Sequence, residues 1–517
     1  PPKGGCYGGR VQEDDTRRAR VRARLHSIGR RSELVTFVLA SLALGVPLWL
    51  VARPPMEDFP QHVAITAVLA NLRASPDLVA DFGRTPHVGW YALAVVLSKL
   101  LGPVVAAKLL VSASLSSIPL ALRFLVARLG GTPRVAWVVL PVVWSGFVAY
   151  GFVQFVAGVP LMLLALALAA GERLSRPHLV GLGLVLLATF SVHLLCAAVA
   201  GLGVIALRAS RDGKGAWRTL LVPAGAGLIA MVWTLLTDAG ADLLVMAGLR
   251  AGGEVAPAPA RFLPAAGVIP DALEWLSNLT RTEVDDRAFW LWGALVAGCA
   301  VARRERAWFA LPWSACVGLL VALALLSPQT VGWIWPLGAR FAWLAVILGV
   351  AGLSLPRGAL GGAVITLSLL ATVVRVADVA RAYVNVERHE QAGLTEVIAA
   401  LPPGSRLCGV VHDSHSEFVP WWPHHFSAAW AQAERGGSLV FSFVAHPSTP
   451  LRFRADVHPP QTGPTGFNPD RVASERMTWC DHVIVYQGPG AFEYARAHEL
   501  TAHHGRFRLY TRRPDPR

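Results

Sequence analysis

Pro54-Pro55-Met56-Glu57-Asp58-Phe59-Pro60-Gln61-His62 follows directly on the apolar run of residues 33–51. A run of that length is what a helix needs to cross a bilayer, about 20 residues. Two adjacent carboxylates therefore stand at the mouth of a first membrane span. Working outward, similar runs recur near residues 103–127, 135–150, 155–170, 178–191, 194–208, 219–237, 288–302, 307–327, 339–354 and 358–376. With the first, that makes eleven. The segment 88–101 reads as a twelfth span or an interfacial helix, and 178–208 as one long helix or two. Of the 517 residues 54% are hydrophobic and only 15% charged, against roughly 25% charged in soluble domains. The expectation is an all-α polytopic membrane domain over residues 33–380.

Charge placement orients it. The net charge of +14 is carried mostly by arginine. Arg17, Arg18, Arg20, Arg22, Arg24, Arg30 and Arg31 precede the first span, in a Gly-rich N-terminal segment (residues 1–32) expected to be disordered. This basic flank reads as a cytoplasmic retention signal rather than a nucleic-acid arm. No cleavable signal peptide is evident. With the N-terminus inside, Arg123 to Arg134, Glu172 to Arg176, Arg208 to Arg218, Arg303 to Arg306 and Arg357 fall in inner loops, each carrying positive charge. The outer loops become 52–102, 151–154, the turn at His193, 238–287 and 328–338, which are mixed or acidic, as at Glu283, Asp285 and Asp286. An odd number of spans leaves the C-terminal region outside.

Residues 381–517 change character: apolar runs shorten to strand length, and Pro, His and charge become common. Arg406 to Val411, Ser438 to Val444, Asp481 to Tyr486 and Phe507 to Thr511 read as strands, and 386–400, 425–435 and 490–499 as helices. The alternation predicts a small extracytoplasmic α/β domain, with a proline-rich loop at 457–471. Cys408 and Cys480 are permitted a disulfide there. Cys196, Cys299 and Cys316 lie in apolar runs and read as packing residues. Ten histidines between His412 and His504, including the tandem His424-His425, lack a recognised metal-ligand frame.

Pro60 suits the first turn of a helix, and Ile65, Val68, Leu69 and Leu72 continue at helical spacing as an amphipathic surface helix. Asp58 then either caps that helix or presents its carboxylate to a cavity, with His62 one turn on. Basic groups at the outer edges of spans need a partner or a task. Lys108 snorkels or meets a ligand; Arg340 anchors its span at the interface or meets an anion. His193 is a hydrogen-bonded turn residue or a site residue, and His87 flanks the same region. The loop 250–287 is long enough for a lid. Asn278-Leu279-Thr280 matches a glycan acceptor triplet, and Trp421-Trp422 offers flat surfaces for sugar rings.

Several of these segments together resemble the GT-C superfamily of polyprenyl-phosphate-dependent glycosyltransferases. The acidic pair follows the first span, an interfacial helix comes next, then Pro86-His87-Val88-Gly89-Trp90-Tyr91, Ser98-Lys99-Leu100-Leu101-Gly102 and Ala107-Lys108-Leu109. Gly151-Phe152-Val153-Gln154-Phe155-Val156-Ala157-Gly158 and Arg340-Phe341 complete the order. Pro86-His87 departs from the more usual Pro-Leu, and the C-terminal domain matches no transferase domain. The resemblance implies a bacterial inner-membrane enzyme moving a sugar from a lipid-linked donor to an extracytoplasmic acceptor. It implies a catalytic carboxylate, Asp58 with Glu57 as alternate or metal ligand, acting as base in an inverting displacement. Lys108, Arg340, His62, His87 and His193 are the candidate substrate contacts. A divalent cation, magnesium or manganese, suits paired carboxylates, though two adjacent acids do not define a metal site. Membrane lipids are the other partners; nucleic acid is not. A transporter or scaffold for a lipid-linked envelope precursor is the rival class, but the paired polar interruptions of a repeat-built transporter are missing from the sequence.

Overall fold

The computed structural model describes residues 31–171, 174–212, 216–246, 260–301, 311–331, 334–440, 442–445, 449–460, 477–487 and 497–514. Most of the basic N-terminal segment, the part of the proposed lid before residue 260 and the Arg303–Arg306 loop lie outside these. Four helices among the described residues are long and apolar enough to cross a membrane: Pro103–Arg128, Leu194–Asp212, Thr219–Leu236 and Ala359–Glu390. Shorter apolar helices accompany them, including Val153–Ala169, Arg176–Val192 and Leu337–Ala351. The chain is an integral membrane protein.

The two readings of 178–208 resolve into two helices. Arg176–Val192 ends and Leu194–Asp212 begins around His193, whose backbone is extended at φ −159° and ψ 118°. Residues 88–101 form one helix, Val88–Leu101.

The run 135–150 departs from expectation. Instead of one continuous helix it is a chain of short pieces: a 3-10 turn Pro133–Val139, then Leu140–Val143 and Gly146–Ala149. Pro133 and Pro141 remove backbone donors, and Trp144 and Ser145 are extended. Residues 135–149 are buried throughout. Their hydrophobicity serves packing against protein, not lipid.

Charge inside this core is paired. Arg375, 1% exposed, donates to Asp285 at 2.8 Å and to the carbonyls of Pro141 at 2.9 Å and Leu276 at 3.1 Å. Asp285, expected in a solvated outer loop, is instead buried in the first turn of Glu283–Val301, where it holds the broken segment in place. Thr280 of the glycan triplet is likewise buried, bonded to Asp378 at 2.5 Å.

The outer region carries a five-stranded mixed sheet: β2 (Arg406–Val411), β3 (Ser438–Leu439), β5 (His482–Tyr486), β6 (His498–His504) and β7 (Phe507–Arg512), in the order β3-β2-β5-β7-β6. The first three are parallel, and β7 pairs antiparallel with both β5 and β6. Cys408 and Cys480 are disulfide-bonded across it. The expected helix at 490–499 is corrected at its described end: 498–504 is a strand, turned back on β7 at Gly505, whose φ of 56° favours glycine. Ser438 to Val444 holds its strand only to Leu439.

This region does not sit apart. β1 (Leu78–Ala80), in the first outer loop, pairs antiparallel with β4 (Leu451–Phe453). Asp77 accepts from Arg406 at 2.9 Å and from Ser438 at 2.9 Å. Helix Ala428–Arg435 packs on Phe59–Ala70, with Phe59 and Trp430 rings 5.9 Å apart. That contact corrects the expected amphipathic surface helix. Phe59 to Thr66 are all buried, because the outer domain covers the face that would otherwise meet solvent.

Candidate functional site

Asp58 is the residue before the Phe59–Ala70 helix, yet its side chain makes no capping hydrogen bond. Its backbone N–H donates to the Tyr150 carbonyl at 2.8 Å. Gly151 permits that approach: its φ is +87°, and a β-carbon there would lie 2.7 Å from Phe59 N and 3.1 Å from Asp58 N. Asp58 is half-buried as a residue, with its carboxylate enclosed by protein. Its pKa stands well above the usual carboxylate range. Burial is the main cause and the neighbouring Glu57 charge the second; Arg340 opposes both.

Glu57 is differently placed. One oxygen lies 3.0 Å from His425 Nδ1 of the outer domain, and the Trp422 backbone N–H also reaches the carboxyl. Its second oxygen is buried without a partner. Burial pushes Glu57 up to about 8, and pulls His425 down to about 3. The pair therefore meets as a neutral imidazole and a carboxyl that is easily protonated.

A basic group stands on the other side of Asp58. Arg340, in the first turn of Leu337–Ala351, has its guanidinium carbon 4.7 Å from the Phe152 ring centre and 5.3 Å from that of Phe155. It donates to the Trp335 carbonyl at 2.9 Å and lies 3.4 Å from His193 Nε2. His193 stacks on His87 with ring centres 5.4 Å apart. His87 Nε2 accepts from the Leu194 backbone N–H at 3.2 Å. Arginine only donates, so His193 Nε2 is the acceptor and its proton sits on Nδ1. That Nδ1 and Arg340 Nε are both buried without partners. Two buried unpaired donors on one basic cluster have the chemistry to bond an anion.

Asp58, Glu57, His87, His193 and Arg340 thus come together, brought in by the first outer loop, the 151–158 motif, the His193 break and the Arg340 turn. His62 lies alongside: its Nδ1 is 2.8 Å from the Tyr91 hydroxyl, and its ring contacts Trp90 and Phe443. Lys108 does not join them. Its ammonium donates to the Val51 carbonyl at 2.6 Å and lies 5.9 Å from the centre of the Trp49 ring. The two ring donors of the outer domain, His425 and Trp421 (Nε1 to the Pro55 carbonyl at 2.8 Å), close over the acidic pair. Sequence reading did not single out His425 for this role, nor Tyr150, Trp275 and Trp335. The tandem His424-His425 was visible, but each histidine meets a glutamate: His424 Nε2 lies 2.8 Å from Glu390, and His425 faces Glu57. Among the described residues no group of three or more His, Cys, Asp or Glu side chains converges as a metal cage.

An open apolar groove of about 540 Å³, lined by Gly83, Leu228, Ile229, Val232, Trp233, Leu236 and Thr237, lies on the Ala216–Leu236 helix. None of the acidic or basic site residues lines it.

No family model matches the sequence, and no curated protein matches it. The fold has solved counterparts. A crystal structure of ArnT from Cupriavidus metallidurans bound to undecaprenyl phosphate superimposes with a TM-score of 0.56, at 13% identity, over 94% of this chain and 98% of that one. The apo form gives 0.52, at 14% identity, over 93% and 98%. The chain thus shares the fold of these two structures, across membrane domain and outer domain together.

Proposed function

We propose that this protein transfers a sugar from a polyprenyl-phosphate donor to an extracytoplasmic acceptor. The observation that carries the reading is an Asp58 carboxylate within electrostatic reach of Arg340, whose guanidinium lies 3.4 Å from His193, in a fold shared with a protein that binds undecaprenyl phosphate. Asp58 is spared from capping. The donor's isoprenoid tail stays in the bilayer and its phosphate rests against Arg340 Nε and His193 Nδ1. An acceptor hydroxyl attacks the anomeric carbon from the opposite side. Its proton passes to Asp58, the bond from the anomeric carbon to the phosphate oxygen breaks, and the phosphate leaves with the electron pair. The displacement inverts the anomeric centre. Arg340 stabilises the charge that grows on the phosphate. Glu57, engaged by His425 and the Trp422 amide, holds the loop and sets the potential at Asp58. Glu57 and Asp58 are the residues that would hold a magnesium or manganese ion, which would add its charge to that of Arg340.

Eleven crossings, a cytoplasmic N-terminus and an outer C-terminal domain in a bacterial inner membrane complete the proposal. Arginine-rich inner loops support it, as does the Cys408–Cys480 disulfide, which belongs to an oxidising compartment.

The test is Asp58→Asn. It keeps size and hydrogen-bonding capacity but removes the base. Transfer from a radiolabelled polyprenyl-phosphate sugar should fall by roughly 10²–10⁴-fold, while expression and membrane insertion match the parent. Undiminished transfer by this variant rejects Asp58 as base.

A further inference from the structure

We infer that the outer-domain segment Trp421-Trp422-Pro423-His424-His425 is a clamp that positions the acidic pair, with His425 as its positioning residue. This rests on the transferase reading above and adds an outer-domain control to the same site. The loop that carries the pair has little of its own to hold it. Residues 50–58 form neither helix nor strand, and Pro54 and Pro55 have no N–H to donate. The start of the loop is tied to membrane helices: Lys108 donates to the Val51 carbonyl at 2.6 Å, and the Ala52 N–H donates to Glu387. From Pro55 to Glu57 the partners come from the outer domain. Trp421 Nε1 donates to the Pro55 carbonyl at 2.8 Å, and His425 Nδ1 lies 3.0 Å from Glu57. Trp421, His425, Pro55 and Glu57 are all buried, so water does not compete for these bonds.

The clamp is itself braced. His424 is fully buried, with Nε2 2.8 Å from Glu390, the last residue of the Val386–Glu390 turn that continues the helix Ala359–Asn385. Glu390 also accepts from the Glu417 backbone N–H at 2.7 Å, so one carboxylate holds both ends of the loop 417–424. The His424 ring stacks on Tyr486 of β5, with ring centres 4.2 Å apart, which roots the segment in the sheet. Two adjacent histidines thus bridge the end of a long membrane helix to the loop that carries the acidic pair. Glu57 and Asp58 are neighbours in the chain, so a shift of Glu57 displaces the Asp58 carboxylate. Misplacing a reacting group by about 1 Å costs about 10²-fold in rate. Arg340 and His193 are held by other bonds, so loosening the clamp lowers turnover and spares donor affinity.

The experiment uses the full chain in nanodiscs, with amide hydrogen exchange at residues 56–58 as the first readout and undecaprenyl phosphate as the binding probe. His425→Ala should speed exchange there by at least about tenfold, with the Leu337–Ala351 helix still protected. Undecaprenyl phosphate affinity should stay within about twofold of the parent. His425→Asn, which returns a donor, should restore protection. Trp421→Phe keeps the ring, removes only the donor and should give a smaller rise of the same kind. The second readout is turnover of radiolabelled undecaprenyl-phosphate mannose, glucose and galactose. In His425→Ala kcat should fall about 10–10²-fold at a KM within about twofold of the parent, and recover in His425→Asn. Glu57→Ala should lower kcat as much, and the double variant no further, because the two residues act as one unit. Unchanged exchange at 56–58 in His425→Ala overturns the inference. So does exchange that rises as much across the β-sheet as in the loop, or a double variant whose losses add. Undecaprenyl phosphate that binds equally well to the parent and to Arg340→Ala breaks the transferase reading instead.

Discussion

The Arg340 cluster and the adjoining aromatic cluster hold different chemistry within one site. In one, Arg340, His193 and His87 present donors, two of them buried and unpaired. In the other, Tyr150, Trp275 and Trp335 present rings, with Arg340 bonded to the Trp335 carbonyl at their edge. The contrast teaches that a candidate site is legible where buried unpaired donors meet stacked rings. The buried unpaired donors of the first suit an anion, and the rings of the second suit apolar faces.

The sharpest way to break the contrast is to empty the basic cluster. Arg340→Ala removes the charge facing Asp58 and leaves the Trp335 carbonyl and His193 without their donor. Loss of a donor aimed at developing charge costs about 10²–10³ in kcat. Undecaprenyl phosphate binding should weaken as well. Arg340→Lys should recover little, since an ammonium cannot lie flat on Phe152 while serving His193 and the Trp335 carbonyl. Wild-type turnover with alanine at this position, measured in detergent with a labelled donor, excludes it from the reaction.

The next prediction concerns the acidic pair beside the basic cluster. Glu57 and Asp58 interact, so their protons leave in two steps that belong to the pair. Both groups sit above the ordinary carboxylate range, and Glu57 is the second cause of the shift at Asp58. Glu57→Gln removes one titration and one negative charge. The remaining Asp58 should then ionise at lower pH, so the acid limb of the transfer rate moves downward while the plateau changes by only a fewfold. A limb that stays put or moves upward contradicts the coupling. His425→Ala should act differently. It strips a partner from a buried carboxyl, which costs about 1–3 kcal/mol of stability, read as a lower melting temperature.

Much of this architecture could be read from residue order. The acidic pair after the first span, the His193 break and the Gly151–Gly158 motif all lie where chemistry needed them, and each has a local physical sign. Pro60 and the extended His193 mark helix ends, and Gly151 marks a close approach. What escaped the sequence depended on contacts distant along the chain. Residues 135–150 are as apolar as a span but are buried by protein, and hydropathy alone does not distinguish the two kinds of burial. Asp285 looked solvated because its partner, Arg375, lies 90 residues away. The Phe59–Ala70 helix lost its expected solvent face to a domain that begins over 300 residues later. The roof residues Trp421 and His425 were beyond reach for the same reason. The hairpin at Gly505 also escaped: 490–499 reads as a helix, while His498–His504 pairs with β7.

Lys108 supplies the smallest expected effect and the cleanest control. Spacing made it a candidate phosphate contact, and its place in a span demanded a partner. The partner exists within the fold: the Val51 carbonyl accepts its proton at 2.6 Å, at the exit of the first span and seven residues before Asp58. The ammonium thus ties down the start of the loop that carries the acidic pair. Lys108→Gln keeps a donor of similar reach but drops the charge. It should cost about 1 kcal/mol of stability, the worth of a typical hydrogen bond, and leave the KM for the donor within about twofold. A large rise in that KM would place positive charge from Lys108 at the phosphate after all, and the basic cluster would then extend beyond Arg340 to the Pro103–Arg128 helix.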